Sequence, residues 1–169
     1  MRTDLYWIDG SWNGRLAIAA RPRGGDWLED EVRSWRQAGL DMIVSLLTPD
    51  EIAEFDLGGE GPACRQHGVE FASIPIPDRG VPGSRKAVLT LVHMLAGRLG
   101  AGKRVAVHCR QGIGRSALLV ACLLVVAGED PETAFRRIRE ARGCPVPDTP
   151  EQQEWVKGFA ADPEAAAFE

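Results

Sequence analysis

The chain has 169 residues, 44% of them hydrophobic and 26% charged, a size and composition typical of one globular domain. Its formal net charge is −4, which argues against a broad cationic surface for nucleic acid. We therefore expect a single domain over residues 1–169 that does not bind nucleic acid. The Ala-rich, acidic tail, about residues 160–169, is expected to fray.

The first half of the chain alternates short apolar runs with segments of helical periodicity. Leu16–Ala19 predicts a strand, and Asp26 is placed to cap the helix that follows. A second strand is predicted over Met42–Leu47, with a short helix starting at Pro49. A third strand, Val69–Ile76, ends among prolines, which a central strand does not tolerate.

The second half of the chain repeats this alternation. Ser84 is predicted to cap a longer helix, which leads to a buried strand over Arg104–His108 and then to an apolar helix ending at Gly128. Two further helices begin at Pro131 and Pro150, since proline is favoured in the first helical turn. The whole pattern predicts an α/β domain with a central, mainly parallel sheet of about four to five strands flanked by helices.

No segment has the features of a membrane anchor or a secretion signal. The longest apolar run, Ala117–Ala127, is far shorter than the roughly 20 residues that span a bilayer, and the first ten residues lack the apolar stretch of a signal peptide. The spacing of the four cysteines is not that of a disulfide framework, so reduced thiols are expected at Cys64, Cys109, Cys122 and Cys144. We predict a cytoplasmic protein with no membrane partner.

The segment after the predicted strand Arg104–His108 carries the strongest chemical signal. Cys109 follows the strand directly, and Arg115 comes six residues later, where a helix begins. Ligands of open α/β sheets bind beyond the carboxyl ends of the strands, and the loop glycines allow the backbone to curl around an anion. The helix N-terminus and the guanidinium both favour a phosphate. The predicted phosphate cradle comprises Arg110, Gln111, Gly112, Ile113, Gly114 and Arg115.

The same surroundings favour Cys109 as a nucleophile. Thiols at helix N-termini or beside cations ionise readily, so Cys109 is expected to be a thiolate at neutral pH. A thiolate below a cradled phosphate is placed to attack phosphorus and form a phosphocysteine intermediate. Ser116 is expected to donate a hydrogen bond to the sulfur as it leaves, and His108 is expected to order the loop rather than act as a base.

Departure of the substrate oxygen requires a proton, and Asp78 is the predicted donor. It follows the strand Val69–Ile76 in a Pro- and Gly-rich loop that can close over the site. A positioned acid contributes about 10²–10⁴-fold to a rate. A protonated Asp78 together with an ionised Cys109 predicts a bell-shaped, mildly acidic pH–rate profile. Because aspartate is also common in turns, a purely structural Asp78 stays open.

The His-Cys-x5-Arg-Ser signature at 108–116, preceded by Pro-Asp-x-Gly-x-Pro at 77–82, resembles the small dual-specificity members of the cysteine-dependent protein phosphatases. The resemblance runs from about Ala17 to Trp155. It implies that no metal or cofactor is needed. The roles it implies are nucleophile for Cys109, phosphate binder for Arg115, general acid for Asp78 and leaving-group support for Ser116.

The sequence departs from the larger tyrosine-specific relatives at one position. Those proteins place a glutamine before the Thr of a Gln-Thr-x-x-Gln segment to position the hydrolytic water, whereas here Asp148 precedes Thr149. Gln152 matches the second glutamine and is a candidate for that role. Thr149-x-x-Gln152 is also a helix capping box, which is a purely structural explanation.

The resemblance predicts hydrolysis of phosphotyrosine, and of phosphoserine or phosphothreonine, in proteins. Phosphoinositides, inositol phosphates and nucleic-acid ends are the alternative substrates. Relatives that act on such polyanions carry extra lysines in the loop, whereas this loop has one extra cation, Arg110.

Three other interpretations are weaker. A non-catalytic phosphoprotein-binding module is expected to lack Cys109 or Asp78, and both are present. A rhodanese-like sulfur carrier would need neither Asp78 nor an Arg-Ser pair in its loop. Cys64 or Cys144 is a candidate to trap oxidised Cys109 in a disulfide.

Overall fold

Five strands form one sheet in the computed structural model, which describes residues 4–166. In chain order they are β1 Leu5–Ile8, β2 Arg15–Ala19, β3 Met42–Ser45, β4 Glu70–Ser73 and β5 Arg104–His108. Across the sheet the order is β1-β2-β5-β3-β4. β1 pairs antiparallel with β2, and the other three pairings are parallel. The predicted α/β class with a mainly parallel sheet is therefore confirmed.

Seven α-helices and two short 3₁₀ helices connect or follow the strands in the described part of the chain. The α-helices are α1 Leu28–Gln37, α2 Pro49–Glu54, α3 Glu60–Gln66, α4 Arg85–Gly100, α5 Gly114–Val126, α6 Pro131–Arg142 and α7 Pro150–Ala160. The 3₁₀ helices are Gly25–Trp27 and Pro163–Ala166. No helix within residues 4–166 is long and apolar enough to cross a bilayer.

Helices cover both faces of the sheet. Because side chains alternate along a strand, Val105 and Val107 of β5 contribute to the core shared with α4, α5, α6 and α7, whereas Ala106 contributes to the core shared with α1 and α3. The apolar helix α5 is buried over nearly its whole surface in the first of these layers. β5, the middle strand, thus fixes the start of α5 at the centre of the carboxyl edge of the sheet.

Polar caps begin three of the described α-helices at positions that the sequence marked as helix starts. Ser84 Oγ accepts from Ala87 N–H at the start of α4, and Asp130 accepts from Thr133 N–H at the start of α6. The capping box predicted for Thr149 is confirmed at the start of α7. These contacts satisfy backbone donors that have no partner inside a helix.

Two predicted strands are shorter in the structure. β3 ends two residues early, at Ser45, and β4 ends three residues early, at Ser73. The prolines that follow β4 offer no N–H to a ladder, so that strand cannot continue. Single backbone hydrogen bonds continue beyond the ladder, from Leu46 N–H to His108 O and from Ile76 N–H to Leu46 O. The chain after β4 therefore stays attached to the sheet as it approaches the site.

Other local predictions were wrong. Asp26 caps no helix, because it lies inside the 3₁₀ turn before α1. β1 and α3 were not predicted. Over its described part the tail contains the 3₁₀ helix Pro163–Ala166, and Ala165 is buried; fraying of the tail stays a prediction. Residues 167–169 of the predicted tail lie outside the described residues.

Candidate active site

Cys109 lies directly after β5, between the ends of β2 and β3. It is 3% exposed, so the thiol lies at the bottom of a depression rather than on the surface. The depression is a cavity of about 170 Å³ lined by Asp78, Arg79, Cys109, Arg110, Gln111, Ile113, Gly114, Arg115 and Asp148. The structure thus brings Cys109, Arg115, Asp78 and most of the predicted cradle into one site.

The loop from Cys109 to α5 leaves its backbone donors unused. None of the N–H groups of residues 110–116 donates a hydrogen bond to any residue that the structure describes. Gly112 has φ +70°, and a Cβ there would approach Ala19 O to 2.9 Å, so this position requires glycine. A run of free donors at a helix N-terminus is the arrangement that binds phosphate groups.

Glu51, which lies on α2 between β3 and β4, holds Arg115 below the rim of the cavity. Its Nη1 and Nη2 donate to the two oxygens of Glu51 at 2.6 and 2.9 Å, and Nη1 also donates to Ile76 O at 2.8 Å. Arg115 is 1% exposed. Burial opposes the charged form of the guanidinium, but the hydrogen bond to Glu51 and the charges of Cys109 and Asp78 raise its pKa. The hydrogen bond from Arg115 in turn lowers the pKa of Glu51.

Asp78 contacts Arg115 from the loop after β4. Nη2 of Arg115 donates to Asp78 Oδ1 at 3.2 Å, while the Asp78 side chain remains 49% exposed. The loop turns at Arg79, which has φ +59°. Asp78 therefore lies beside Cys109 in the cavity but is bound to the guanidinium that a phosphate would need.

His108 contacts the loop and a buried carboxylate. Its Nδ1 lies 3.4 Å from Cys109 O, to which it can only donate, and its Nε2 is hydrogen-bonded to Glu60 Oε2. The ring also stacks on Trp35, with centroids 6.1 Å apart. These contacts agree with the predicted loop-ordering role, which remains a prediction. Nothing in the sequence singled out Glu60.

A second arginine holds the loop from outside. Arg142, at the end of α6, donates from Nε to Gly112 O at 2.7 Å and from Nη2 to Gln111 O at 3.2 Å. Its guanidinium lies over the Tyr6 ring, 4.1 Å from the centroid. Because the loop carbonyls bond outward to Arg142, the loop N–H groups are free to face the cavity.

Ser116 and Gln152 have different surroundings. The Ser116 hydroxyl is fully buried with no hydrogen-bond partner among residues 4–166, so the predicted hydrogen bond to Cys109 is not formed here and its role stays a prediction. Gln152 Oε1 accepts from Asp148 N–H and Thr149 N–H, and its Nε2 donates to Gly80 O at 3.0 Å. Gln152 thus links the Asp78 loop to α7, and a role in positioning water also stays a prediction.

The other cysteines have no visible part in the site. Cys64 lies on the α1/α3 side of the sheet, in the opposite layer from Cys109, and burial raises the pKa of its thiol to about 12. Burial also raises the pKa of the Cys122 thiol. Cys144 is half-buried, and all four thiols are free. The position and protonation of Cys64 argue against it as the partner of an oxidised Cys109.

Two further observations bear on cofactors and ligands. Within residues 4–166 no group of three or more His, Cys, Asp or Glu side chains could hold a metal ion. A larger cavity of about 510 Å³ lies between β1 and α1, where Trp7, Arg15 and Arg104 line it. It contains none of the predicted site residues.

Comparison with known proteins identifies the same segment of the chain as the geometry does. The family model described as "Polymorphic toxin system, DSP-PTPase phosphatase" matches residues 17–129, which include the Asp78 loop and the whole Cys109–Ser116 segment. The chain belongs to this DSP-PTPase family. The resemblance to dual-specificity phosphatases predicted from the sequence is therefore confirmed.

Individual relatives are distant in sequence. "Cyclin-dependent kinase inhibitor 3" of Rattus norvegicus is 25% identical over 134 residues, 78% of this chain and 63% of that protein, so the chain spans less than two thirds of this relative. A crystal structure of kinase associated phosphatase, with its catalytic-site cysteine changed to serine, superposes with a TM-score of 0.87 at 21% identity and covers 96% of this chain and 98% of that one. The active form of Tk-PTP superposes with a TM-score of 0.74 at 28% identity, over 92% and 95% of the two chains.

Proposed function

We propose that this chain hydrolyses phosphomonoesters through a phosphocysteine intermediate, with Cys109 as nucleophile. The observation that carries the proposal is the run of unused N–H donors at residues 110–116, which surrounds a buried cysteine and ends at a buried arginine. Such a set of donors stabilises the charge on a transferring phosphoryl group. Family membership supports the same chemistry.

The first step requires an exchange of partners at Arg115. The phosphoryl oxygens take the Nη2 donor that Asp78 occupies here, together with the free loop N–H groups. The Cys109 thiolate then attacks phosphorus, the S–P bond forms and the ester P–O bond breaks. Asp78, released from the guanidinium and next to the leaving oxygen, donates the proton that this oxygen needs.

We assign phosphorylated proteins as the substrate class, with phosphotyrosine and phosphoserine or phosphothreonine as the hydrolysed groups. Beside Arg115 the cavity is lined by two arginines, Arg79 and Arg110, and by two aspartates, Asp78 and Asp148. Their charges balance, so the rim offers little attraction to a polyanionic headgroup or nucleic-acid end. The names of the relatives, a cyclin-dependent kinase inhibitor and a kinase associated phosphatase, support a phosphoprotein substrate.

The chemistry also suggests where the protein works. A thiolate nucleophile is lost on oxidation, so we propose a reducing compartment, the cytoplasm. None of the proposed steps calls on a metal or an organic cofactor.

Hydrolysis of an aryl phosphate by the wild type, Cys109→Ser and Cys144→Ser tests the proposal. We expect turnover by the wild type and by Cys144→Ser, which keeps the site intact, and loss of turnover in Cys109→Ser with retained binding of inorganic phosphate. Appreciable turnover by Cys109→Ser would exclude the phosphocysteine mechanism. A panel of phosphopeptides and phosphoinositides then separates the substrate classes, and preference for the lipids would overturn the phosphoprotein assignment.

A further inference from the structure

A second cavity lies between β1 and α1, at the edge of the sheet opposite to the catalytic cavity around Cys109. Its volume is about 510 Å³, against about 170 Å³ for the catalytic cavity, and small-molecule sites commonly have about 300–1,000 Å³. Arg15 and Arg104, the first residues of β2 and β5, line this second cavity, whereas Cys109 follows the last residue of β5. The length of β5 therefore separates the second cavity from the nucleophile.

Two guanidinium groups enter the second cavity side by side. Arg15 and Arg104 are partners in the parallel β2–β5 pairing, so their side chains leave the same face of neighbouring strands, about 4.8 Å apart. Gly39, which follows α1 with φ +91°, leaves room for Arg104, because a Cβ there would lie 3.0 Å from Nη1. The chain after α1 is thus shaped around the Arg104 guanidinium.

Neither of these guanidinium groups is neutralised. Neither donates to a carboxylate or a carbonyl group among residues 4–166. Asp4 also lines the second cavity but forms no ion pair with either arginine, and the Asp41 carboxylate accepts from Arg36 and from the backbone N–H of Arg104 instead. The lining therefore has two positive charges against one negative charge, and each guanidinium keeps a planar set of donors that matches phosphate oxygens.

The rest of the lining suits a planar ring. Trp7 is half-buried and lies under the Arg15 guanidinium, 4.1 Å from the ring centroid. Ser34 and Gln37 of α1 add a hydroxyl and an amide. Aromatic groups pack well against tryptophan, and a phosphate monoester carries about two negative charges at neutral pH, one for each arginine.

We propose that the second cavity binds a small-molecule aromatic phosphate, with Arg15 and Arg104 bonding the phosphate oxygens and Trp7 packing against the ring. This site goes beyond the proposed phosphatase function and does not rest on it, because none of the described residues lines both cavities. Trp35 connects the two, since it lines the second cavity and stacks on His108, with centroids 6.1 Å apart.

Calorimetric titration of the Cys109→Ser protein with adenosine 5′-phosphate and with phenyl phosphate tests the site, because this variant is expected not to hydrolyse the probes. We expect one equivalent that depends on the two arginines, its affinity falling about tenfold or more when Arg15→Gln or Arg104→Gln is added. Arg33→Gln, which removes an exposed arginine of α1, is the matched control and should bind like the parent. Adenosine, which lacks the phosphate, should not occupy the second cavity.

The indole N–H resonances of the tryptophans locate the bound probe. Trp35 Nε1–H is buried without a hydrogen-bond partner among residues 4–166, so its resonance is sensitive to small changes around the second cavity. We expect the Trp7 and Trp35 signals to shift during the titration and the Trp7 shift to disappear in Arg15→Gln. Trp155, which packs in the core on the other face of the sheet, serves as the reference signal.

Four results would overturn this inference. They are a Trp7 resonance that neither probe moves, unchanged binding in both Arg15→Gln and Arg104→Gln, an equally large loss in Arg33→Gln, and binding of adenosine as tight as that of its 5′-phosphate. None of them bears on turnover of an aryl phosphate by the wild type. Failure of this site and failure of the proposed function are therefore separate outcomes.

Discussion

Arg115 donates from Nη2 to the carboxylate of Asp78 at 3.2 Å, although both side chains are expected to contact the same substrate. Two further N–H bonds of the guanidinium go to Glu51 and one to Ile76 O. Of its five donors, only the N–H on Nε has no carboxylate or carbonyl partner among residues 4–166. A phosphoryl group that binds Arg115 with two oxygens must therefore displace Asp78.

Removing the Asp78 charge should affect binding and turnover in opposite directions. We expect Asp78→Asn to bind inorganic phosphate about 3–10-fold more tightly, because a neutral amide competes less well for Arg115, a difference of roughly 1 kcal/mol. Turnover should fall by about 10²-fold with the loss of the proton donor. Calorimetric titration and steady-state kinetics measure the two effects. Asp50→Asn, an exposed control, should change neither phosphate binding nor turnover. Weaker phosphate binding by Asp78→Asn would contradict the displacement of Asp78 from Arg115 by phosphate.

Glu51 should matter for stability as well as for the site. Glu51→Gln leaves the buried Arg115 without its paired carboxylate, and we expect a loss of about 1.5–3 kcal/mol in the free energy of unfolding. Urea titration measures this loss. Glu54→Gln, which removes an exposed carboxylate from the same helix, should cost far less. Equal losses in the two variants would show that the Glu51–Arg115 ion pair stabilises the fold no more than an exposed charge does.

The Glu51–Arg115 ion pair also predicts how the free energy of unfolding depends on pH. The hydrogen bond from Arg115 lowers the pKa of Glu51 below its ordinary value of 4.5, so the unfolded chain takes up a proton at a higher pH than the folded one. The stabilisation is complete above pH 4.5 and is lost as pH falls through the folded value. We expect the stability difference between the wild type and Glu51→Gln to narrow below pH 4.5. A difference that widens in acid would reverse the assigned sign.

Arg142 should act on the loop without touching the substrate. Arg142→Ala removes the two donors that hold Gln111 O and Gly112 O, so the loop N–H groups lose their fixed direction. We expect kcat/KM to fall about tenfold, which corresponds to roughly 1.4 kcal/mol. Arg136→Ala, an exposed arginine on the same helix, serves as the control. A loss in Arg136→Ala as large as in Arg142→Ala would attribute the effect to net charge.

Gly112 should not tolerate a side chain. Its φ of +70° and the 2.9 Å approach of a Cβ to Ala19 O predict that Gly112→Ala costs about 1–2 kcal/mol in backbone strain and weakens phosphate binding. Gly97→Ala, inside α4 with open space around it, should be neutral or stabilising because alanine favours helices. Thermal unfolding and phosphate titration compare the two variants. Unchanged phosphate binding by Gly112→Ala would show that the loop can adopt another path.

The sequence by itself determined the features that are local along the chain. Cys109 and Arg115 are six residues apart, so the strand, the loop glycines and the helix start that bring them together can all be read from one short segment. The capping box at Thr149 and the cap at Ser84 were predictable for the same reason. The alternation of strands and helices was sufficient for the fold class, because parallel strands need helical crossovers.

Only the tertiary structure decided which distant charges reach the site. Glu51 lies 64 residues from Arg115, Glu60 lies 48 from His108, and Arg142 lies 30 from Gly112. No local pattern distinguishes these side chains from solvent-exposed ones of the same type. Their positions depend on how α2, α3 and α6 pack around the sheet, since packing sets the distances between elements and spacing along the chain does not.

The two aspartates of the cavity show most clearly that contacts between distant residues cannot be predicted from the sequence alone. Sequence placed Asp78 near the site through its loop and marked Asp148 as a departure from related proteins, but it could not say what each carboxylate contacts. The fold pairs one with Arg115 and leaves the other without a partner among the described residues. The contacts of these two side chains therefore come from packing rather than from residue type.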